Sequence, residues 1–280
     1  MKAFSPGHTT CFFQPVRDPY VLRTGSKGAG IKLSLGTYVT VEEDLHATRI
    51  TLDGESSEAR ITRRVLEILA PDRNFDVTVE NQLPVSQGFG MSAAGALAAA
   101  LCVSEMVGKD TNEAVNAAHI AEVEGKGGLG DVSAIMGEAH VPFRTEAGSP
   151  THGNIIGTGK EMDLTVAVFS GKLETEDILN NKMKMSMISL AGRIAVEKYQ
   201  NDTSTDSLFS ISREFSKTAG LESREISSAL SELDGQAGMC MLGNSIFTTA
   251  PADVVQDILA HAEIYETVST DSIPRIIRKV

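Results

Sequence analysis

The run Pro84-Val85-Ser86-Gln87-Gly88-Phe89-Gly90-Met91-Ser92-Ala93-Ala94 sets two glycines and a hydroxyl just ahead of an alanine-rich stretch. Glycine lets a backbone approach a ligand closely. Its N–H groups, with the open end of a helix, form a positive concavity suited to phosphate. A hydroxyl at the helix start, that of Ser92, could then touch a phosphate oxygen or a magnesium ion. The same residues read equally as a turn whose glycines serve backbone geometry and whose Ser92 is a plain N-cap.

A second glycine run, Gly125-Lys126-Gly127-Gly128-Leu129-Gly130-Asp131, follows a helical stretch carrying His119, Glu122 and Glu124. His119 and Glu122, three residues apart, share a helix face. Phosphoryl transfer needs a carboxylate to hold magnesium and often a second to orient or deprotonate the attacking hydroxyl, so Glu122 and Asp131 are candidates for those tasks. The plainer reading makes Glu122 a solvated helix-end residue and Asp131 the cap of a helix over Val132 to Met136. Ser5-Pro6-Gly7-His8-Thr9-Thr10 and Gly25-Ser26-Lys27-Gly28-Ala29-Gly30 read as short loops of small residues offering His8 and Lys27. Lone side chains of those kinds are more often structural or solvated. Gly235 to Gly243 reads as a turn into a buried strand.

Two familiar phosphate loops fit less well. No Gly-Lys pair is followed by Ser or Thr: Lys109 precedes Asp110, Lys126 precedes Gly127, Lys160 precedes Glu161 and Lys172 precedes Leu173, so the Walker A pattern fails. Gly88, Gly90 and Ala93 satisfy GxGxxG/A, but Pro84 and several polar residues stand between the preceding strand pattern and the first glycine, and position 110 begins a helix where a dinucleotide fold expects an acidic strand end. A dinucleotide oxidoreductase is a minor alternative.

The elements that must hold these residues follow from hydrophobic period and punctuation. Ile31 to Leu35, Tyr38 to Val41, Arg49 to Leu52 and Phe75 to Val79 alternate as strands. Ile61, Val65, Leu66 and Leu69 recur at helical spacing within Glu58 to Leu69. An Ala-rich helix runs from Ser92 to about Val107, and another starts near Asp110, with Glu113 completing a capping box, and ends near Glu124. The stretch from Val141 to Gly159 reads as loop-rich and marks a boundary between units 1–158 and 159–280. Beyond it, Leu164 to Phe169 reads as a buried strand. Helices follow over Met183 to Lys198, Leu208 to Ala219, Ser223 to Leu233 and Ala252 to His261, with strands at Met239 to Leu242, Ser245 to Thr249, Ile264 to Val268 and Ile273 to Ile277. The pattern is α+β.

At 280 residues with 41% hydrophobic content, the chain has the apolar material for two cores, which argues against disorder. Its formal charge of −12 opposes a nucleic-acid backbone or an anionic membrane surface as partner. The cysteines, Cys11, Cys102 and Cys240, form no CxxC pair, which fits a reducing compartment. The start of the chain shows no apolar signal segment, and Ala93 to Val103 is too short to span a bilayer. A cytoplasmic protein is the expectation.

Taken together, these segments resemble the GHMP kinase superfamily over nearly the whole chain. Pro84 to Ala94 is similar to its PxxxGLGSSAA phosphate loop, with Phe89 for Leu, Met91 for the first Ser and Ser92 keeping the second. Ser5 to His8 resembles its N-terminal motif and Gly235 to Gly243 its C-terminal glycine motif. Within the superfamily the resemblance is to the archaeal pantoate kinases, carried by Pro6 to Phe13, Gly25 to Gly36, Ala121 to Val132 and Met239 to Asn244. It implies a two-lobed GHMP kinase fold, with an N-terminal lobe like ribosomal protein S5 domain 2 and a ferredoxin-like C-terminal lobe. It also implies transfer of the γ-phosphoryl group of ATP to the 4-hydroxyl of pantoate, a step toward coenzyme A, with ATP and Mg2+ as cofactors, pantoate as the small-molecule partner and a homodimer as one expected assembly. Carried over by position, Pro84, Gly88, Phe89, Gly90, Met91, Ser92 and Ala93 would bind nucleotide, Ser92 and Glu122 would approach magnesium, and Asp131 would act on the hydroxyl. His8, Ser26, Lys27 and Arg144 would hold pantoate or its carboxylate. Open rivals are a superfamily kinase for homoserine, mevalonate, shikimate or a sugar, and a nucleotide-binding module without catalysis.

Overall fold

The computed structural model describes residues 1–171, 182–233 and 236–278; Lys172, Leu173 and Gly235 lie outside them. Strand β1 (Lys2–Val16) and strand β2 (Gly25–Asp44) pair antiparallel along most of their length. This corrects the reading of Ser5 to Thr10 and Gly25 to Gly30 as loops. The small residues there are strand residues chosen for close packing: a Cβ on Gly28 would lie 2.2 Å from the Phe12 carbonyl oxygen, and one on Gly30 would lie 2.3 Å from His8 Nε2. Register breaks between Pro6 and Gly7 and between Thr10 and Phe12 let the ladder absorb Pro6, which has no N–H to donate.

The sheet continues through β3 (Arg49–Leu52), β4 (Glu55–Ser56) and β5 (Asn74–Asn81) in the order β12-β1-β2-β5-β3-β4, where β12 is Arg275–Arg278. The stretch read as loop-rich holds a hairpin, β6 (Val141–Glu146) and β7 (Asn154–Thr158). Its apolar residues Val141 and Phe143 are buried, and β6 joins β2 with Arg144 opposite Gly28.

Helices α1 (Arg60–Leu69), α2 (Met91–Val107), α3 (Thr111–Glu124) and α4 (Asp131–Met136) complete the first lobe. Most of α2 is buried, and its alanines let neighbours on several sides pack close. The α3 capping box forms as read: Glu113 N–H donates to Asp110 Oδ1 at 2.8 Å and Asp110 N–H donates to Glu113 Oε2 at 3.0 Å. The start of α2 has no side-chain cap; its cap residue is Gly90, with φ of 64°, a conformation that favours glycine.

The second lobe runs β8 (Asp163–Val168), α5 (Lys182–Asn201), α6 (Thr205–Thr218), α7 (Arg224–Glu232), β9 (Ala237–Met239), β10 (Ser245–Thr248), α8 (Ala252–Ile258) and β11 (Glu263–Val268). Its antiparallel sheet has the order β11-β8-β10-β9, the fourth-first-third-second arrangement of a ferredoxin-like unit. The lobes touch closely. A Cβ on Gly192 would lie 2.0 Å from the Phe13 carbonyl oxygen, and β12 returns from the second lobe to pair with β1. Among the described residues, no helix is long and apolar enough to cross a membrane.

Candidate active site

A cavity of about 320 Å³ is lined by Pro84, Gly88 to Ala93, Glu122, Gly125 to Asp131 and Ser26, and closed from the second lobe by Met241 and Leu242. Both glycine runs therefore face one space. The first-turn amides of α2 open into it, because the first N–H groups of a helix have no partner within the helix and Gly90 has no side chain to cap them.

Ser92 Oγ donates to Glu122 Oε1 at 2.5 Å, and Gly128 N–H donates to Glu122 Oε2 at 2.5 Å. Glu122 is only 2% exposed. Burial lifts its carboxyl to about 7; the bonds from Ser92 and Gly128 oppose the shift and the Asp131 charge adds to it. Among the described residues, no three His, Cys, Asp or Glu side chains group as a metal cage. A cation here would rest on one or two side chains and on the ligand's own oxygens, a donor set that suits magnesium.

Asp131 starts α4. His8 Nδ1 lies 2.7 Å from Asp131 Oδ1. Burial, aided by the charges of Arg144 and Lys32 and opposed by Asp131, lowers the His8 pKa, so the ring is neutral near pH 7 and Nδ1–H donates to the carboxylate. Burial alone would raise the Asp131 carboxyl, but the His8 bond, Arg144 and the Thr10 hydroxyl outweigh it and hold Asp131 below the ordinary carboxylate range. The His8 backbone N–H also donates to the Phe89 carbonyl at 3.0 Å, tying β1 to the glycine loop.

Arg144 is 1% exposed, and its Nε and both terminal nitrogens have no hydrogen-bond partner among the described residues. Burial drops its pKa to about 10, against the attraction of Asp131. It lies behind Gly130 beside Ser26: a Cβ on Gly130 would be 2.3 Å from Ser26 Oγ and 2.7 Å from Arg144 Nε. A buried guanidinium with no partner is costly, and a carboxylate is its natural complement.

The sequence candidates thus fall into three groups. The nucleotide-loop residues, Ser26, Glu122 and Asp131 line the cavity; His8 and Arg144 stand behind it. Lys27 alternates to the other face from Ser26, opposite Gln14, and does not line the cavity. Met91 sends its side chain inward, where its sulfur lies 3.6 Å from a Thr37 hydroxyl that donates to Asn81 Oδ1, so the position that carries a hydroxyl in the GHMP loop is here a packing residue. Thr10, Phe13, Ile61, Leu129 and Met241 also line the cavity without having been singled out as site residues. Thr10 carried a signal, since it ends the same small-residue run as His8; the apolar residues are indistinguishable in sequence from core.

Residues 59–138 match the family model described as the GHMP kinases N terminal domain. The chain is 34% identical over 265 residues to a pantoate kinase of Thermococcus kodakarensis, covering 88% of this chain and 86% of that one. It is 29% identical over 262 residues to a pantoate kinase of Methanocaldococcus jannaschii, covering 92% and 95%. A solved structure titled as a phosphotransferase related to the CoA biosynthesis pathway superposes with a TM-score of 0.88 at 29% identity, covering 98% of this chain and 97% of that one. Homoserine kinase from Cytophaga hutchinsonii shares the fold, with a TM-score of 0.68 at 14% identity, covering 99% and 97%.

Proposed function

The chain belongs to the pantoate kinase family of the GHMP kinases, and we propose that it transfers the γ-phosphoryl group of ATP to the 4-hydroxyl of (R)-pantoate, giving 4-phosphopantoate. The observation that carries the choice of acceptor is Arg144, a buried cation without a hydrogen-bond partner behind the end of the cavity where Ser26 and Asp131 meet. That end suits a short hydroxy acid whose carboxylate completes the guanidinium.

The uncapped amides of α2 and the glycine loop hold the nucleotide phosphates, with the Ser92 hydroxyl at the first turn. Ser92 and Glu122 would hold magnesium, which supplies charge neutralisation on the phosphates when bound. Glu122, pushed up to about 7 by burial, loses its proton readily once a cation replaces it. Asp131 accepts a hydrogen bond from the acceptor hydroxyl and takes its proton as the new O–P bond forms and the bond from the γ-phosphorus to the β–γ bridging oxygen breaks, releasing ADP. Its lowered pKa keeps it ionised and ready to accept. His8 fixes the rotamer of Asp131 by donating to Oδ1. Arg144 and Ser26 orient the acid, and Met241 and Leu242 close the cavity against water. We place the enzyme in the cytoplasm, where ATP is at hand and the buried thiols of Cys11, Cys102 and Cys240 stay reduced.

The test offers pantoate, homoserine, mevalonate and shikimate to the purified chain with ATP and magnesium, with ADP release followed and the product identified by mass. Phosphopantoate is the expected product. Turnover of another alcohol with none of pantoate overturns the acceptor, and ATP binding with no turnover at all overturns catalysis.

A further inference from the structure

Lys32 is fully buried on β2. Its ammonium, with three N–H donors, donates to the main-chain carbonyls of Asp271 at 3.0 Å, Ser272 at 2.8 Å and Gly137, with the Ile135 carbonyl sharing a donor at 3.5 Å. Among the described residues no carboxylate pairs with it directly; the cage is made of peptide oxygens, the arrangement a monovalent cation would take.

Two of those carbonyls form the C-terminal end of α4, and Asp131 is the first residue of the same helix. Lys32 sits directly opposite His8 in the β1–β2 ladder, so both side chains rise from one face of the ribbon. His8 grips α4 at its first residue and Lys32 at its last turn. Six residues make a helix of only about 9 Å, too short to hold its own shape. Its N-cap, Gly130, contributes no side chain. The tilt of α4 is therefore set from outside, and an ammonium at the negative end of the helix dipole is well placed to set it. The other two carbonyls belong to the segment crossing from β11 back to β12, which the Lys32 backbone also holds, its carbonyl on β2 accepting from Thr270 N–H at 3.1 Å.

We infer that Lys32 is a positioning residue for phosphoryl transfer: a built-in cation that pins α4 between the β1–β2 ribbon and the returning C-terminal segment, and so fixes where Asp131 meets the acceptor hydroxyl. The inference rests on the reading of Asp131 as the group that acts on that hydroxyl. Lys32 touches neither substrate, so its loss acts on turnover rather than on nucleotide binding. A displacement of Asp131 by about 1 Å is enough to cost on the order of 10²-fold.

The experiment uses the full chain with K32M, and K32Q if the Met variant does not fold, since its amide still donates into the cage. Hydrogen exchange without substrate reads the clamp: residues 131–136 and 270–272 should exchange at least tenfold faster in the variant, with α2 and α3 unchanged. Steady-state kinetics with ATP and pantoate read its consequence. We expect kcat to fall about 10- to 100-fold with KM for ATP within threefold, partial recovery in K32R, and no further loss when K32M is added to D131N. Unchanged exchange in α4, or a loss that multiplies with that of D131N, overturns the inference. Wild-type failure on pantoate strikes the proposed function instead and leaves the exchange measurement as the test of the clamp.

Discussion

Replacing Arg144 with methionine should make the ligand-free protein more stable while crippling its use of pantoate. The guanidinium is buried and its nitrogens have no hydrogen-bond partner, and its pKa falls from 12.5 to about 10 on folding. A basic group whose folded pKa is lowered is charged in both states near pH 7, so its burial penalty is present there in full and disappears only as pH rises through about 10. A shift of that size corresponds to about 3 kcal/mol. Methionine fills similar volume without charge and removes the penalty, although Asp131 loses a stabilising neighbour and takes part of the gain back. For a chain of this length the net gain should raise the melting temperature by roughly 3–8 °C, read by calorimetry at pH 7.5. On the proposed assignment pantoate completes the guanidinium in the wild type, and truncating one partner of such a buried pair costs about 2–5 kcal/mol. We therefore expect kcat/KM for pantoate to fall on the order of 10²–10³-fold with KM for ATP near normal. An R144M protein that melts below wild type, or one that loses ATP and pantoate affinity alike, refutes the assignment of this charge to the acceptor.

Three other perturbations separate the remaining parts of the site. Ser92→Ala removes the hydroxyl bonded to Glu122 and should lower kcat and weaken magnesium–ATP binding about tenfold or more while KM for pantoate holds; equal effects on both substrates would reduce Ser92 to a helix-start residue. Glu122→Gln bears on pH: the folded pKa of about 7 lies above the ordinary 4.5 of a glutamate, so the stability this carboxyl permits is greatest below pH 4.5 and is lost as pH rises through 7. The Gln protein, denatured in urea without metal, should equal wild type near pH 4.5 and exceed it by up to about 3 kcal/mol at pH 8, with turnover lost; a constant difference across that range would contradict the buried charge. Gly243→Ala puts a Cβ 2.1 Å from the Gln87 carbonyl carbon, so the second lobe pushes on the phosphate loop. Its KM for ATP should rise about tenfold with the acceptor site spared, and unchanged ATP kinetics would show that the lobes part without cost.

What the sequence made legible was local. Gly88, Gly90 and Ser92 sit within five residues, and Glu122 and Asp131 nine apart on either side of one glycine run, so spacing alone could suggest a phosphate site with two carboxylates. The strands carrying His8 and Ser26 were misread because glycine and proline normally punctuate, whereas here a partner strand lies so close that a side chain would collide. Arg144 stood out only through resemblance, since a lone arginine gives no sign that a hairpin will bury it. Lys32 gave none either: its four acceptors are backbone carbonyls, and those at Asp271 and Ser272 lie some 240 residues along the chain. Pattern reading sees side-chain period, and a cage of peptide oxygens made by tertiary contact has no period.

Two distortions in the site point in opposite directions, and on the proposed assignment that division lets an acidic chain handle two anions. Folding pushes Glu122 toward its protonated form and Arg144 toward deprotonation, so each is held in surroundings short of its counter-charge. The shortage at Glu122 is one that a cation relieves; at Arg144 an anion does. Between them lies Asp131, kept ionised by a neutral imidazole and a hydroxyl as well as by Arg144. On the proposed assignment, an imidazole without charge can orient Asp131 without drawing the acceptor's carboxylate toward Glu122. A protonated or lysine-like group at position 8 would attract both anions to one point and blur the separation. The net charge of −12 therefore describes the outer surface, while the chemistry depends on a few buried charges whose partners arrive with the substrates.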